Sequence, residues 1–195
     1  MKTIHQLDAH NKIGWFTKSE TLGLSVLFGL FLFISLLNFK DSFRKSRDNQ
    51  RKSDIRAIYN AISSFQGDFS LVPASFNGKI VACNPEFKEE ILTLSPCNWG
   101  VDSILDPSFK DFVYINLPID PQNPHISYYY LSNGRQFQIL ASLEGKDEDE
   151  YREDIEARKL PCGLRNCNYG LASGELPLDK SFQEYENELE NRLKQ

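Results

Sequence analysis

Four cysteines, three histidines, a block of acids and a single glutamate beside an apolar run carry most of the reactive chemistry in this chain. Cys83 and Cys97 form one close pair, Cys162 and Cys167 another. An oxidising compartment turns such pairs into disulfides. Their spacings, C-x13-C and C-x4-C, lack the tight knuckle of a zinc site. Disulfides therefore lead, with metal ligation and free buried thiols as the alternatives. His5 and His10 lie near the N-terminus, and His125 sits alone beside Pro124. No nucleophile, base and orienting group fall into a set, so no catalytic residue is assigned and an enzyme is not expected. The acids Asp147, Glu148, Asp149, Glu150, Glu153 and Asp154 invite calcium, which takes about six to eight oxygens. No glycine-punctuated loop of alternating acids holds them, so solvation is the simpler expectation and no metal ligand is assigned. Trp99 and the consecutive Tyr128, Tyr129 and Tyr130 read as core and sheet-face residues.

Glu20 stands at the mouth of an uncharged run, Leu22 to Leu37, which Phe39 extends. Its 16 residues reach the short end of a bilayer span, roughly 17–25 residues. A secretory signal would be followed by small residues at a cleavage site, whereas this run ends in LLNFKDSF. A membrane anchor is the leading reading, ahead of a cleaved signal peptide or a buried soluble helix. Charge is segregated around it. Residues 1–56 carry ten Lys/Arg against five Asp/Glu, and residues 57–195 carry twelve against twenty-two. The acidic second part would repel phosphate, so no nucleic-acid partner is expected. Two orientation cues conflict. Lys40, Arg44, Lys45, Arg47, Arg51 and Lys52 follow the span, which by the positive-inside rule places the larger part in the cytoplasm. The cysteines favour the opposite side.

The elements that position these groups follow from periodicity. Residues 1–15 form a polar leader, 16–39 a transmembrane helix, and 40–66 a basic neck with an amphipathic helix. Residues 67–179 form a globular domain and 180–195 a C-terminal helix. Ile55, Ile58, Tyr59, Ile62 and Phe65 recur at three- and four-residue steps, giving a stripe that must pack on the domain behind it. Gly67 and Pro73 end that pattern. The segment 68–126 reads as irregular, with a short helix at FKEEILTL and a short strand at DFVYINL. In SYYYLSNGRQFQILASLE, two strand-like runs flank Ser132-Asn133-Gly134 and predict a hairpin over 127–143. EGKDEDEYREDIEARK reads as a solvated loop or frayed helix, and LPCGLRNCNYGLASGELP as a turn-rich loop. Phe182, Tyr185, Leu189 and Leu193 share one side of the tail helix. The fold class is α+β, a long N-terminal helix on a small antiparallel sheet.

From Phe16 the chain reads F-T-K-S-E, then an apolar helix with Gly29 nine residues after Glu20, then SRDNQRKSDIRAIYNAI. This resembles the type IV pilin and pseudopilin family, whose mature chains begin F-T-L-I-E and carry glycine at that offset. LPIDPQNPHISYYYLSNGRQFQILASLE resembles the turn and hairpin of the major pseudopilins of type II secretion, and CNYGLASG their closing loop. The departures lie at the cleavage site. Family peptidases cut after a glycine placed before the Phe, whereas Trp15 holds that place and Gly14 stands one residue earlier. Lys18 and Ser19 replace an apolar pair, and Leu37 stands where many members have proline.

The resemblance implies a pilin-like fold and a structural subunit whose apolar helix packs against copies of itself or other pilin-like subunits. It implies a prepilin peptidase as partner, cutting between Trp15 and Phe16 with methylation of the new amine, and an extracytoplasmic domain on a single-pass anchor. Calcium, which major pseudopilins hold near this hairpin, is its only cofactor suggestion. Glu20 falls at the family's registration charge, which pairs with a neighbour's new amine and so offsets an intramembrane cost of roughly 3 kcal/mol. Without cleavage, Glu20 must find Lys18, a headgroup or water. Alternatively, Glu20 simply favours the helix N-terminus by ~0.3–1 kcal/mol, with Thr17 or Ser19 as cap. The neck, interleaved with Asp41, Asp48 and Asp54, reads first as a solvated helix with i,i+3 and i,i+4 pairs. Headgroup contact comes second and DNA last. The other function considered is an uncleaved, membrane-anchored extracellular binding module that does not polymerise.

Overall fold

The computed structural model describes residues 12–13, 16–88, 91–109 and 111–194. Trp15, His5 and His10 lie outside the described residues. The chain forms two units, Met1–Arg44 and Lys45–Gln195, and the long helix α1 (Lys18–Phe69) supplies residues to both.

In the first unit, β1 (Lys12–Ile13) pairs antiparallel with β2 (Phe16–Thr17), and α1 begins directly after. Its apolar part is a helix long and apolar enough to cross a membrane, and none of that stretch is buried.

In the second unit, α1 turns the predicted stripe inward: Ile55, Ile58 and Ile62 are completely buried and Phe65 nearly so. Gly67 does not stop the helix, which runs to Phe69, where Ser70 takes a φ of 57°. Three strands, β3 (Ala74–Phe76), β4 (Lys79–Lys88) and β5 (Ile91–Pro96), form one antiparallel sheet in that order. β6 (Ser103–Leu105) pairs with β7 (Val113–Asn116). A second three-stranded sheet has β9 (Phe137–Ala141) between β8 (Tyr129–Ser132) and β12 (Tyr169–Ala172). Between them lie α2 (Glu153–Ala157) and the β10 (Pro161–Cys162) and β11 (Arg165–Asn166) pair, and α3 (Phe182–Leu193) follows.

Central position explains why β9 is buried along its whole length. Phe137, Ile139 and Ala141 join Ile55, Ile58, Ile62, Tyr128 and Tyr130 in the main core. Leu140, on the other face, packs with Ile155, Cys162 and Cys167. Gln138 shares that face, and its amide donates to the carbonyls of Pro177 and Lys180, fixing the approach to α3. Gly78 (φ 74°) ties the sheets together: its carbonyl accepts from Tyr130 N–H at 2.9 Å, and the Tyr129 ring occupies the space of a Cβ. At α3, Ser181 and Glu184 form a capping box that satisfies the helix N-terminus.

Several local expectations are corrected. The described residues of FKEEILTL are strand, not helix: Phe87 pairs with Leu92 and Lys88 with Ile91 across β4 and β5. Strand pairing with β4 overrides the weak helical pattern. The 68–126 segment, expected to be irregular, carries five strands. The hairpin forms, with Ser132 in the strand and paired with Phe137, so its loop is the four residues 133–136. Only Gly134 takes a positive φ there, 85°. Asn133 acts through its side chain, accepting from the N–H groups of Arg135 and Gln136 at 3.0 and 2.8 Å. In CNYGLASG, Tyr169–Ala172 is a strand on β9.

Candidate functional site

Thr17 and Glu20 close the N-terminus of α1 on each other. Thr17 N–H donates to Glu20 Oε2 at 2.8 Å, and Glu20 N–H donates to Thr17 Oγ1 at 3.4 Å. This reciprocal pair is a capping box, which satisfies helix donors that would otherwise be orphaned. Thr21 and Ser25 hydroxyls donate to the carbonyls four residues back, at 3.0 and 2.9 Å, which satisfies both. Beyond Glu20 the surface is apolar all round. Leu22, Leu27, Phe28, Phe31, Phe33 and Leu36 are each more than 60% exposed. Such an unburied apolar surface fits a helix long and apolar enough to cross a membrane.

The neck is where sequence reasoning failed. Arg51, read as part of a solvated face, is completely buried. Its guanidinium donates to both Asp120 oxygens at 2.7 and 3.0 Å, to Asp48 at 2.8 Å, to Glu144 at 2.9 Å and to Gln122 at 3.1 Å. Arg47 reaches the same Glu144 with a two-pronged contact at 2.6 and 2.7 Å. Asp48 also accepts from the N–H groups of Glu144 and Gly145. One turn along, Lys52 donates to Glu148 at 2.7 Å and Glu150 at 2.6 Å.

The electrostatics follow from this enclosure. Burial alone would lower the pKa of Arg51, but hydrogen bonds to Asp120 and Glu144 outweigh it and raise the value. The Arg47 contact, with Arg51 behind it, holds Glu144 down at about 2. Burial likewise opposes the charge on Lys52, and Glu148 and Glu150 overcome it. Asp54 runs the other way: burial raises its pKa, opposed by the Tyr128 hydroxyl donating at 2.5 Å. Only the Asp48–Arg51 pair (i,i+3) is visible in the sequence. Asp120 and Glu144 stand 69 and 93 positions away, with nothing local to mark them.

The acidic stretch is accordingly not simply solvated. Glu148 and Glu150 hold Lys52, Asp154 pairs with Arg152, and Ile155 is buried within α2. No group of three or more metal-type side chains forms among the described residues. The four cysteines pair within their close pairs, Cys83 with Cys97 and Cys162 with Cys167, at Cα separations of 5.3 and 5.1 Å. Trp99 packs edge-on to Tyr128, centroids 5.6 Å apart, and exposed His125 contributes its carbonyl to Leu164 N–H. Comparison with family models, curated proteins and solved structures finds no match for this chain.

Proposed function

We propose that the protein is a structural subunit of a pilin-like assembly, a pseudopilin or minor pilin of a type II secretion or type IV pilus filament. Copies, or related subunits, associate through the apolar helix. The observation that carries this reading is the fully exposed apolar part of α1 beginning at a carboxylate, Glu20. An acid at the entrance of the span caps its own helix, and helices packing in register can also use one to align with a neighbour's amine. The domain lies outside the cytoplasmic membrane, where both disulfides persist. The pilin-like fold, cleavage before Phe16 and methylation of its amine belong to the same proposal.

The capping box favours a second reading, because it gives Glu20 a use within its own chain. That reading is an uncleaved anchored binding module that does not polymerise. A photoreactive p-benzoylphenylalanine at Phe28, irradiated in membranes, separates the two. Ladders of cross-linked copies or of copies with other subunits support the assembly. Adducts to lipid alone support the module.

A further inference from the structure

In the Lys45–Gln195 unit, a groove of about 710 Å³ opens beside the C-terminal end of α1. Asp68, Asp106 and Asp111 line it together with Phe69, Phe109 and Phe112. The groove is built rather than incidental. Asp106 accepts from the N–H groups of Ser108 and Phe109 at 2.6 and 2.9 Å, which fixes the turn presenting Phe109. Tyr114 donates its hydroxyl to Asp68 at 2.6 Å and stacks edge-on against Phe112 and Phe65. Even so, Phe109 is 72% exposed and Phe112 53%. Aromatic faces among carboxylates are the chemistry that recognises cations flanked by apolar groups.

The neck is a stretch of that composition. Residues 39–45, FKDSFRK, carry three basic side chains against one acid. Phe39 and Phe43 are more than half exposed, stacked with centroids 6.0 Å apart, and Lys40 and Lys45 are exposed beside them. We infer that the acidic aromatic groove at Phe109 and Phe112 docks the 39–45 neck of a second copy of this chain. The inference rests on the assembly reading and deepens it: the apolar helices supply association, and this contact orients one copy on the next. Because groove and neck are different surfaces, copies arranged in parallel make the contact head-to-tail, as a filament requires.

The full-length chain carrying p-benzoylphenylalanine at Phe109 is irradiated in membranes, with the Phe28 probe run in parallel. Mass spectrometry of the Phe109 adduct is expected to map to residues 39–45 of another copy. Asp111→Lys should lower its yield about fivefold, and Lys40→Asp with Lys45→Asp in the same chain should restore it. An adduct elsewhere, an adduct within one chain, or none at Phe109 while Phe28 still cross-links copies overturns the docking and leaves the assembly standing. Silence at both probes overturns both.

Discussion

Replacing Arg51 with alanine strands the carboxylates of Asp48 and Asp120, which are 0% and 1% exposed, and removes one of the two cations holding Glu144. Removing one member of a buried, hydrogen-bonded ion network costs about 3–5 kcal/mol, because the remaining charges keep their burial and lose their partner. For a unit of about 150 residues, each kcal/mol moves the midpoint by about 2–4 °C, so Arg51→Ala should lower Tm by roughly 6–20 °C. Arg51→Lys keeps the charge but not the planar fork, and should fall between the two. Neutralising the stranded acids should recover most of the loss: Arg51→Met with Asp48→Asn and Asp120→Asn should melt well above Arg51→Ala. Thermal unfolding of the detergent-extracted chain, followed by near-ultraviolet dichroism of its tyrosines, reads all three variants against the unchanged chain. A loss under about 1 kcal/mol for Arg51→Ala, the value of an exposed pair, would refute the buried network.

Three further outcomes follow from the same geometry. Glu144 has its folded pKa depressed to about 2 from 4.5, so its contribution is full above pH 4.5 and disappears as pH falls toward 2; urea midpoints measured across that window should drop, and Glu144→Gln should flatten the drop. The Cys83–Cys97 and Cys162–Cys167 bridges span 14 and 5 positions, so loop-closure entropy assigns about 3 and 2 kcal/mol to them; paired Cys→Ala variants in denaturation test this, and unfolded protein should label no thiol until reductant is added. At Glu20, Gln keeps an acceptor for Thr17 N–H while Ala removes it; if charge registers the helices, both variants should lower Phe28 cross-linking alike, whereas a purely local cap predicts loss of about 0.5–2 kcal/mol of helix stability with Ala alone.

Periodicity was a good guide wherever one face of an element meets one surface. The Ile55 to Phe65 stripe and the strands on either side of Asn133-Gly134 were legible, because local spacing determines which side chains turn inward; the tail helix also forms, but none of its side chains is buried. Legibility ended where distant partners decide. Arg51 reads as one more basic residue of a solvated neck, and only the approach of Asp120 and Glu144 makes it a core residue. FKEEILTL and CNYGLASG failed for a related reason: the first supplies the end of β4 and the start of β5, which pair with each other, and the second becomes a strand on β9. Glu20 shows the limit differently. The sequence offers it both a cap and an intermolecular charge, and the fold realises the cap without excluding the charge.

The central claim is that this chain is processed and assembled through its apolar helix. Intact mass spectrometry of protein extracted from membranes tests it most directly. The account predicts a mature chain beginning at Phe16 and carrying a methyl group on its new amine, despite Trp15 at the cut. A mass that retains residues 1–15 would contradict it and leave the anchored, non-polymerising module as the reading of the fold.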